Sequence, residues 1–373
     1  MDQQTPASAP VPLSPPPVPP RLPVLPPPVP PRPRRWGRLG CILAIVLCLV
    51  GGGLLAVFML SSVLSSAAGS VMSGMIGTEE PGHRVLEEVI SGAGLGTEHK
   101  IAVIDVKGVI LSEDAFDMAG SRRIGYELAA ARRDPQVVAI ILDMDTPGGE
   151  VTASDEIYRE VRLCTKANIP VVTCMHSVAA SGGYYIAAGS DWIIANRLTI
   201  TGSIGVIIGT LNYADLLTKI GVESEVYKSG QMKDMLRGSR KRTDMERAYV
   251  QGLVDETYHE FAAIVAQGRT RYDTAEDVTG SEFGDGRILS GSEALRLGLV
   301  DQLGYFDDAV DKAKELARTP LAKVVRYRRP LRFIDLLMGM RAESRVGLQS
   351  LLPAEARAVR PGRLYFLMPS ALP

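Results

Sequence analysis

The run Ala179-Ala180-Ser181-Gly182-Gly183 constrains this chain most. It follows the apolar stretch 169–175, which reads as a buried strand, and leads into a small-residue helix. The small residues around Ser181 let another backbone come close, and Gly182 and Gly183 leave their amides open. Amides at a helix start carry partial positive charge, which suits a developing oxyanion. Ser181 therefore fits two roles, a nucleophile at a strand-to-helix junction or a helix N-cap. The segment alone leaves both open.

The 373 residues suffice for one large domain or two ordinary ones. A net charge of −1 argues against the whole molecule being an electrostatic nucleic-acid binder. Residues 1–38 are dominated by proline and read as an extended, disordered arm; a flexible linker fits better than an SH3-type ligand. Residues 39–64 carry no charge and are long enough to span a bilayer as one transmembrane helix. The long arm before this run argues against a cleaved secretion signal. Arg32, Arg34, Arg35 and Arg38 precede it and place the N-terminus in the cytoplasm. The rest of the chain is then expected outside the inner (cytoplasmic) membrane.

Residues 65–99 are rich in Ser, Gly and Ala and read as a stalk, with a short helix around 85–90. A folded unit is expected over 100–317. Strands are expected at 101–106, 137–142, 169–175 and 192–195, alternating with helices near 121–133 and 154–164, which indicates an α/β fold. A long helix is expected over 244–268. Residues 318–373 lose the alternation and read as a basic, proline-punctuated tail. The four cysteines show no metal-ligand spacing, so no metal site is expected, and Cys164 and Cys174 read as core residues rather than a disulfide.

Three further segments stand out. Asp145-Thr146-Pro147-Gly148-Gly149 is a turn after an apolar strand, whose amides could complete an oxyanion hole with Gly182. Thr201-Gly202-Ser203-Ile204-Gly205 is polar and glycine-bearing, and by itself Ser203 is a turn serine. Lys228-Ser229-Gly230-Gln231-Met232-Lys233-Asp234 is a loop with two lysines, ordinarily a surface feature. Of the histidines, His176 lies five residues before Ser181 and would need a sharp turn to reach it, His259 falls in the long helix, and His83 and His99 lie in the stalk. Asp143 and Asp145 read as solvated or capping aspartates at a strand end rather than as a catalytic pair.

Together the Ala-Ala-Ser-Gly-Gly-Tyr-Tyr, Thr-Pro-Gly-Gly, Thr-Gly-Ser-Ile-Gly and Lys-Ser-Gly-x-x-Lys-Asp segments resemble the signal peptide peptidase A (SppA) family over about residues 100–316. The resemblance implies a ClpP/crotonase-like fold, a repeated ββα superhelix, in a membrane-anchored serine protease. It implies Ser181 as nucleophile, Lys233 as general base, Ser203 as the residue that orients the amine, and Gly149 with Gly182 as oxyanion hole, Gly148 being less favoured. Lys228 matches a non-catalytic lysine. A lysine, ordinarily protonated up to a pKa of about 10.4, must be neutral to act as a base, and burial favours that form.

No cofactor, no metal and no nucleic acid are implied. The implied partners are the membrane, remnant signal peptides and other hydrophobic peptide segments, and further copies of the chain in a closed ring, expected as an octamer. The competing readings are a membrane-protein processing peptidase of the NfeD type, an inactive crotonase-like scaffold and an acyl-CoA enzyme. Two positions depart from the family pattern. Asp145 stands where asparagine is usual and could repel an oxyanion, and the residues after Asp234 leave the placement of Arg237 and Arg240 open.

Overall fold

Parallel strands covered on both faces account for the apolar runs. The computed structural model describes residues 85–92, 96–112, 119–328 and 365–367. The expected arm and membrane span lie outside the described residues; among those described, no helix is long and apolar enough to cross a membrane.

The strands in chain order are β1 (Leu86–Ser91), β2 (Lys100–Lys107), β3 (Ile110–Leu111), β4 (Ala119–Gly120), β5 (Val137–Thr146), β6 (Gly148–Glu150), β7 (Val171–Ala180), β8 (Trp192–Ala195), β9 (Ile200–Gly202), β10 (Ile288–Ser290), β11 (Gln302–Leu303), β12 (Lys323–Arg328) and β13 (Tyr365–Leu367). The main sheet runs β1-β12-β2-β5-β7-β8-β11, with β9 on β7 and β10 on β9. All neighbours from β12 to β11 are parallel, and among the described residues of this sheet only β1 and β10 pair antiparallel. A small second sheet runs β13-β6-β3-β4. The result is a mixed α/β fold built on a largely parallel sheet.

Alternate side chains leave the strands toward two cores. Ala102, Ile104, Ile140, Leu142 and Met144 face one, where the helices Ser121–Arg133 and Val151–Lys166 supply Ile124, Leu128, Ile157 and Val161. Ile101, Val103, Ala139, Ile141, Val172 and Cys174 face the other, closed by Ala309, Val310 and Ala313 of the helix Phe306–Ala317. Cys164 and Cys174 are free and buried, as the sequence suggested.

Strand β7 positions the site. Its first part, Val172–Met175, pairs with β8, and its last part, Val178–Ala180, pairs with β9. This change of partner sets the end of β7 beside the segment that leads to Ser203.

The helices Ser121–Arg133 and Asp244–Gly268 and the strand Trp192–Ala195 fall where the sequence places them. A capping box of Thr243 and Glu246 sets the start of the long helix. Two expectations are corrected. The segment expected as a short helix around 85–90 is strand β1, drawn into an antiparallel pair with β12. The tail expected to lose its alternation contains β12, which lies beside β2 with Val324 and Val325 fully buried. The sheet thus extends beyond both ends of the expected 100–317 unit.

Burial of β12 makes a direct test. Val325→Asp would put an uncompensated carboxylate in the core and should cost about 3 kcal/mol or more of unfolding free energy. Urea denaturation measures this, and an unchanged midpoint would mean that β12 is not part of the folded sheet.

Candidate active site

Ser181 ends β7 and begins the helix Gly182–Ala187. Its backbone has φ 55° and ψ −114°, a region that a non-glycine residue enters only when its surroundings hold it there. Two hydrogen bonds do so. Ser181 N donates to Gly202 O at 2.8 Å, and Tyr185 N donates to Ser181 O at 2.9 Å. The hydroxyl makes no capping bond to the helix. Ser181 is 1% exposed, and among the described residues its Oγ has no hydrogen-bond partner. A buried hydroxyl without a partner is costly. Of the two roles the sequence left open, this geometry contradicts the N-cap.

The Pro-Gly-Gly turn lies against the same point. Gly149 is pressed on β3 so closely that a Cβ there would lie 1.9 Å from Ile110 O, and Gly148 has φ +97°. Only glycine fits either position. A Cβ on Gly148 would lie 2.7 Å from Gly182 N, and a Cβ on Gly182 would lie 3.2 Å from Gly149 N. The glycine turn therefore packs directly against the start of the helix at Gly182. Asp145 does not intrude, because its Oδ1 accepts the Val178 amide at 3.0 Å.

Ser203 is buried and also has positive φ, 50°. Its amide donates to Arg287 O at 2.9 Å, and the preceding Gly202 carbonyl holds Ser181. The strained serines of both motifs are thus tied through one peptide segment.

Lys233 is not brought to Ser181 within the chain. It lies exposed in the 3-10 turn Gln231–Asp234, and Ser181 Oγ makes no hydrogen bond among the described residues. Its loop is nonetheless anchored. Lys228 Nζ donates to Asp234 Oδ1 at 2.7 Å and to Gln231 O at 3.0 Å. Arg240 donates to Asp234 at 2.7 and 2.8 Å and pairs with Glu246 at the start of the long helix. This answers the question the sequence left at Arg240, which positions the loop. Arg237 bonds Ser239 and Ser224 instead.

His176 pairs with Asp143 rather than with Ser181. Asp143 is buried, so the expectation of a solvated or capping aspartate is corrected. Lys107 at 2.9 Å and Arg326 at 3.0 Å share its carboxylate. Burial opposes its ionisation, but hydrogen bonds from His176 and Lys107 outweigh this and hold the carboxyl below its usual range. These partners come from β2, β7 and β12, so no local pattern in the sequence marks them.

Asp143, Cys174 and His176 bring one donor atom each within 4.8 Å of one another. The two cations on Asp143 oppose a metal ion there, and burial pushes the Cys174 thiol up to about 12.

Comparison with known proteins points to a family. The model of peptidase family S49 matches residues 164–319. The chain is similar to an Enterococcus faecium protein named as a signal peptide peptidase SppA, with 35% identity over 309 residues, 79% of this chain and 84% of that one. It is similar to protease 4 of Salmonella typhi, with 34% identity covering 68% of this chain and 41% of that one. A chloroplastic serine protease SPPA of Arabidopsis thaliana is 33% identical, covering 62% and 34%.

The His176–Asp143 pair predicts a pH dependence of stability. The hydrogen bond to Asp143 raises the His176 pKa in the fold. Its contribution is complete below the ordinary histidine value of about 6.5 and is lost as pH rises through the higher folded value. Wild type should therefore exceed His176→Gln in stability more at pH 6 than at pH 9, by chemical denaturation. An equal difference at both would contradict the pairing.

Proposed function

We propose that this chain, which belongs to peptidase family S49 and is a serine protease, is a membrane-anchored endopeptidase in which Ser181 is the nucleophile and Lys233 the general base. The observation that carries this is the Ser181 hydroxyl, buried without a partner among the described residues, next to Gly182, against which the Gly148–Gly149 turn packs. In the first step Ser181 Oγ attacks a peptide carbonyl while the neutral Lys233 amine takes its proton. The Gly149 and Gly182 amides donate to the oxyanion. The intermediate collapses, the proton passes to the leaving amine, and an acyl-Ser181 ester remains. Water, deprotonated by the same amine, hydrolyses the ester. Ser203 orients the amine. The fold we infer is of the ClpP/crotonase type.

The base is proposed to come from a neighbouring copy in a closed ring, for which an octamer fits the family resemblance. Two features support this. No bond joins Ser181 to Lys233 within the chain. The region around the lysine loop exposes large apolar side chains, with Leu211 83% and Tyr227 92% exposed and Leu216, Ile220, Met245 and Tyr249 also in solvent. Such a concentration suits burial between subunits.

Substrates are proposed to be remnant signal peptides and other hydrophobic segments at the inner membrane. The uncharged apolar run 39–64 supports this, as does the name of the Enterococcus relative.

Hydrolysis of an apolar peptide should be abolished in Ser181→Ala, Lys233→Ala and Lys233→Arg, since arginine stays protonated, and largely kept in Lys228→Ala. Mixing Ser181→Ala with Lys233→Ala before assembly should restore part of the activity. Normal turnover by folded Lys233→Ala would refute the base, and no rescue in verified mixed rings would place both groups in one chain. For topology, protease added to spheroplasts should digest the catalytic domain and spare the proline-rich arm. Protection of the catalytic domain would reverse the proposed orientation.

A further inference from the structure

The threonine that opens the glycine turn is fully buried, and its hydroxyl is used both as donor and as acceptor. Thr146 Oγ1 donates to Gly108 O at 2.6 Å and accepts the Gly148 amide at 3.1 Å. Gly108 is the corner between β2 and β3, at φ +77°, and its own amide donates to Asp145 O at 3.0 Å. Both main-chain groups of Gly108 are thus held by residues 145 and 146. Strand β3 continues from this corner to Ile110, which pairs with Gly149. The turn and the strand it leans on are therefore fastened through one side chain.

The methyl of Thr146 has a separate contact. A Cβ on Gly183 would lie 2.7 Å from Thr146 Cγ2, so the methyl occupies the space that Gly183 leaves by having no side chain. Gly183 is the second residue of the helix that starts after Ser181. The backbone of Thr146 pairs with Ala179 of β7, two residues before Ser181. A β-branched side chain has few rotamers, so bonds that fix the hydroxyl also fix the methyl. Serine would keep the two hydrogen bonds and leave the methyl site empty. Valine would fill the site and make neither bond.

We propose that Thr146 is the positioning residue of the glycine turn: its hydroxyl fixes the Gly148 peptide at its positive φ, and its methyl sets the spacing between the turn and the helix that follows Ser181. This rests on the reading of Gly149 and Gly182 as donors to the oxyanion. Being fully buried, Thr146 does not reach a substrate. Its contribution therefore falls on the rate of acyl transfer and not on the binding of the peptide.

The test uses the full, assembled chain. Thr146→Val should lower kcat for an apolar peptide by about tenfold or more with KM held within about twofold, because a displaced oxyanion donor costs rate and not binding. Thr146→Ser, which keeps the hydroxyl, should recover most of that loss. Gly183→Ala alone should lower kcat, and adding Thr146→Ser should restore part of it, since serine has no Cγ2 to meet the new Cβ. An unchanged kcat in Thr146→Val, or a rise in KM that accounts for the whole loss, would overturn the role of the hydroxyl. A double variant no better than Gly183→Ala would overturn the role of the methyl.

A second arm needs no catalysis. In Ser181→Ala protein, hydrogen exchange at the Gly148 and Gly149 amides, read by mass spectrometry, should be about fivefold or more faster once Thr146→Val is added, and close to the parent rate with Thr146→Ser. Equal exchange in all three proteins would overturn the proposal. So would an equal acceleration in the helix Phe306–Ala317 on the other face of the sheet, which marks a role in overall stability alone. Hydrolysis that survives Ser181→Ala would sink the nucleophile assignment alone, since the exchange would still report on the turn.

Discussion

The bend at Ser181 is the constraint on which the rest of the site depends. A serine at φ 55° stays there only if neighbouring peptides hold it, and here the Gly202 carbonyl and the first turn of the helix Gly182–Ala187 do so. That bend requires β9 to pair with the end of β7, which in turn requires β7 to leave β8 after Met175. The glycine turn then has to approach from the other side, with Ile110 pressed against Gly149. The parallel sheet supplies the rigid frame and the small second sheet carries the glycine turn.

Charge plays a supporting part in two places. Asp143 gathers Lys107, His176 and Arg326 from three strands and so fastens β12 to the centre of the sheet. Asp234 gathers Lys228 and Arg240, and Arg240 passes the linkage to Glu246, which also serves the capping box of the long helix. The second network holds the lysine-bearing turn to a helix without burying the lysine itself. A lysine displayed in this way is suited to the role proposed for Lys233 in a neighbouring copy.

Much of the local structure was legible in the sequence because local physics decides it. The helix Asp244–Gly268 has its cap written at Thr243 and Glu246, and the apolar runs at β5 and β7 are those of strands buried on both faces. Strand β1 was not legible, since all six of its residues are exposed and nothing alternates. Strand β12 carries Lys323, Arg326 and Arg328 among its apolar residues, and its partners lie more than two hundred residues away in sequence, so composition gave it the look of a basic tail. The site serine, the glycine turn and the lysine loop were found through motif resemblance; the backbone strain at Ser181 and Ser203, the role of Arg240 and the bonds made by Thr146 required coordinates.

The central claim is that Ser181 is an activated nucleophile rather than a helix cap. Treatment of the assembled protein with a fluorophosphonate, followed by peptide mass mapping, tests it most directly. A single adduct on the Ser181 hydroxyl, absent from Ser181→Ala and lost in Lys233→Ala, is the result predicted. An active enzyme that is modified at another serine, or not modified at all, would contradict it.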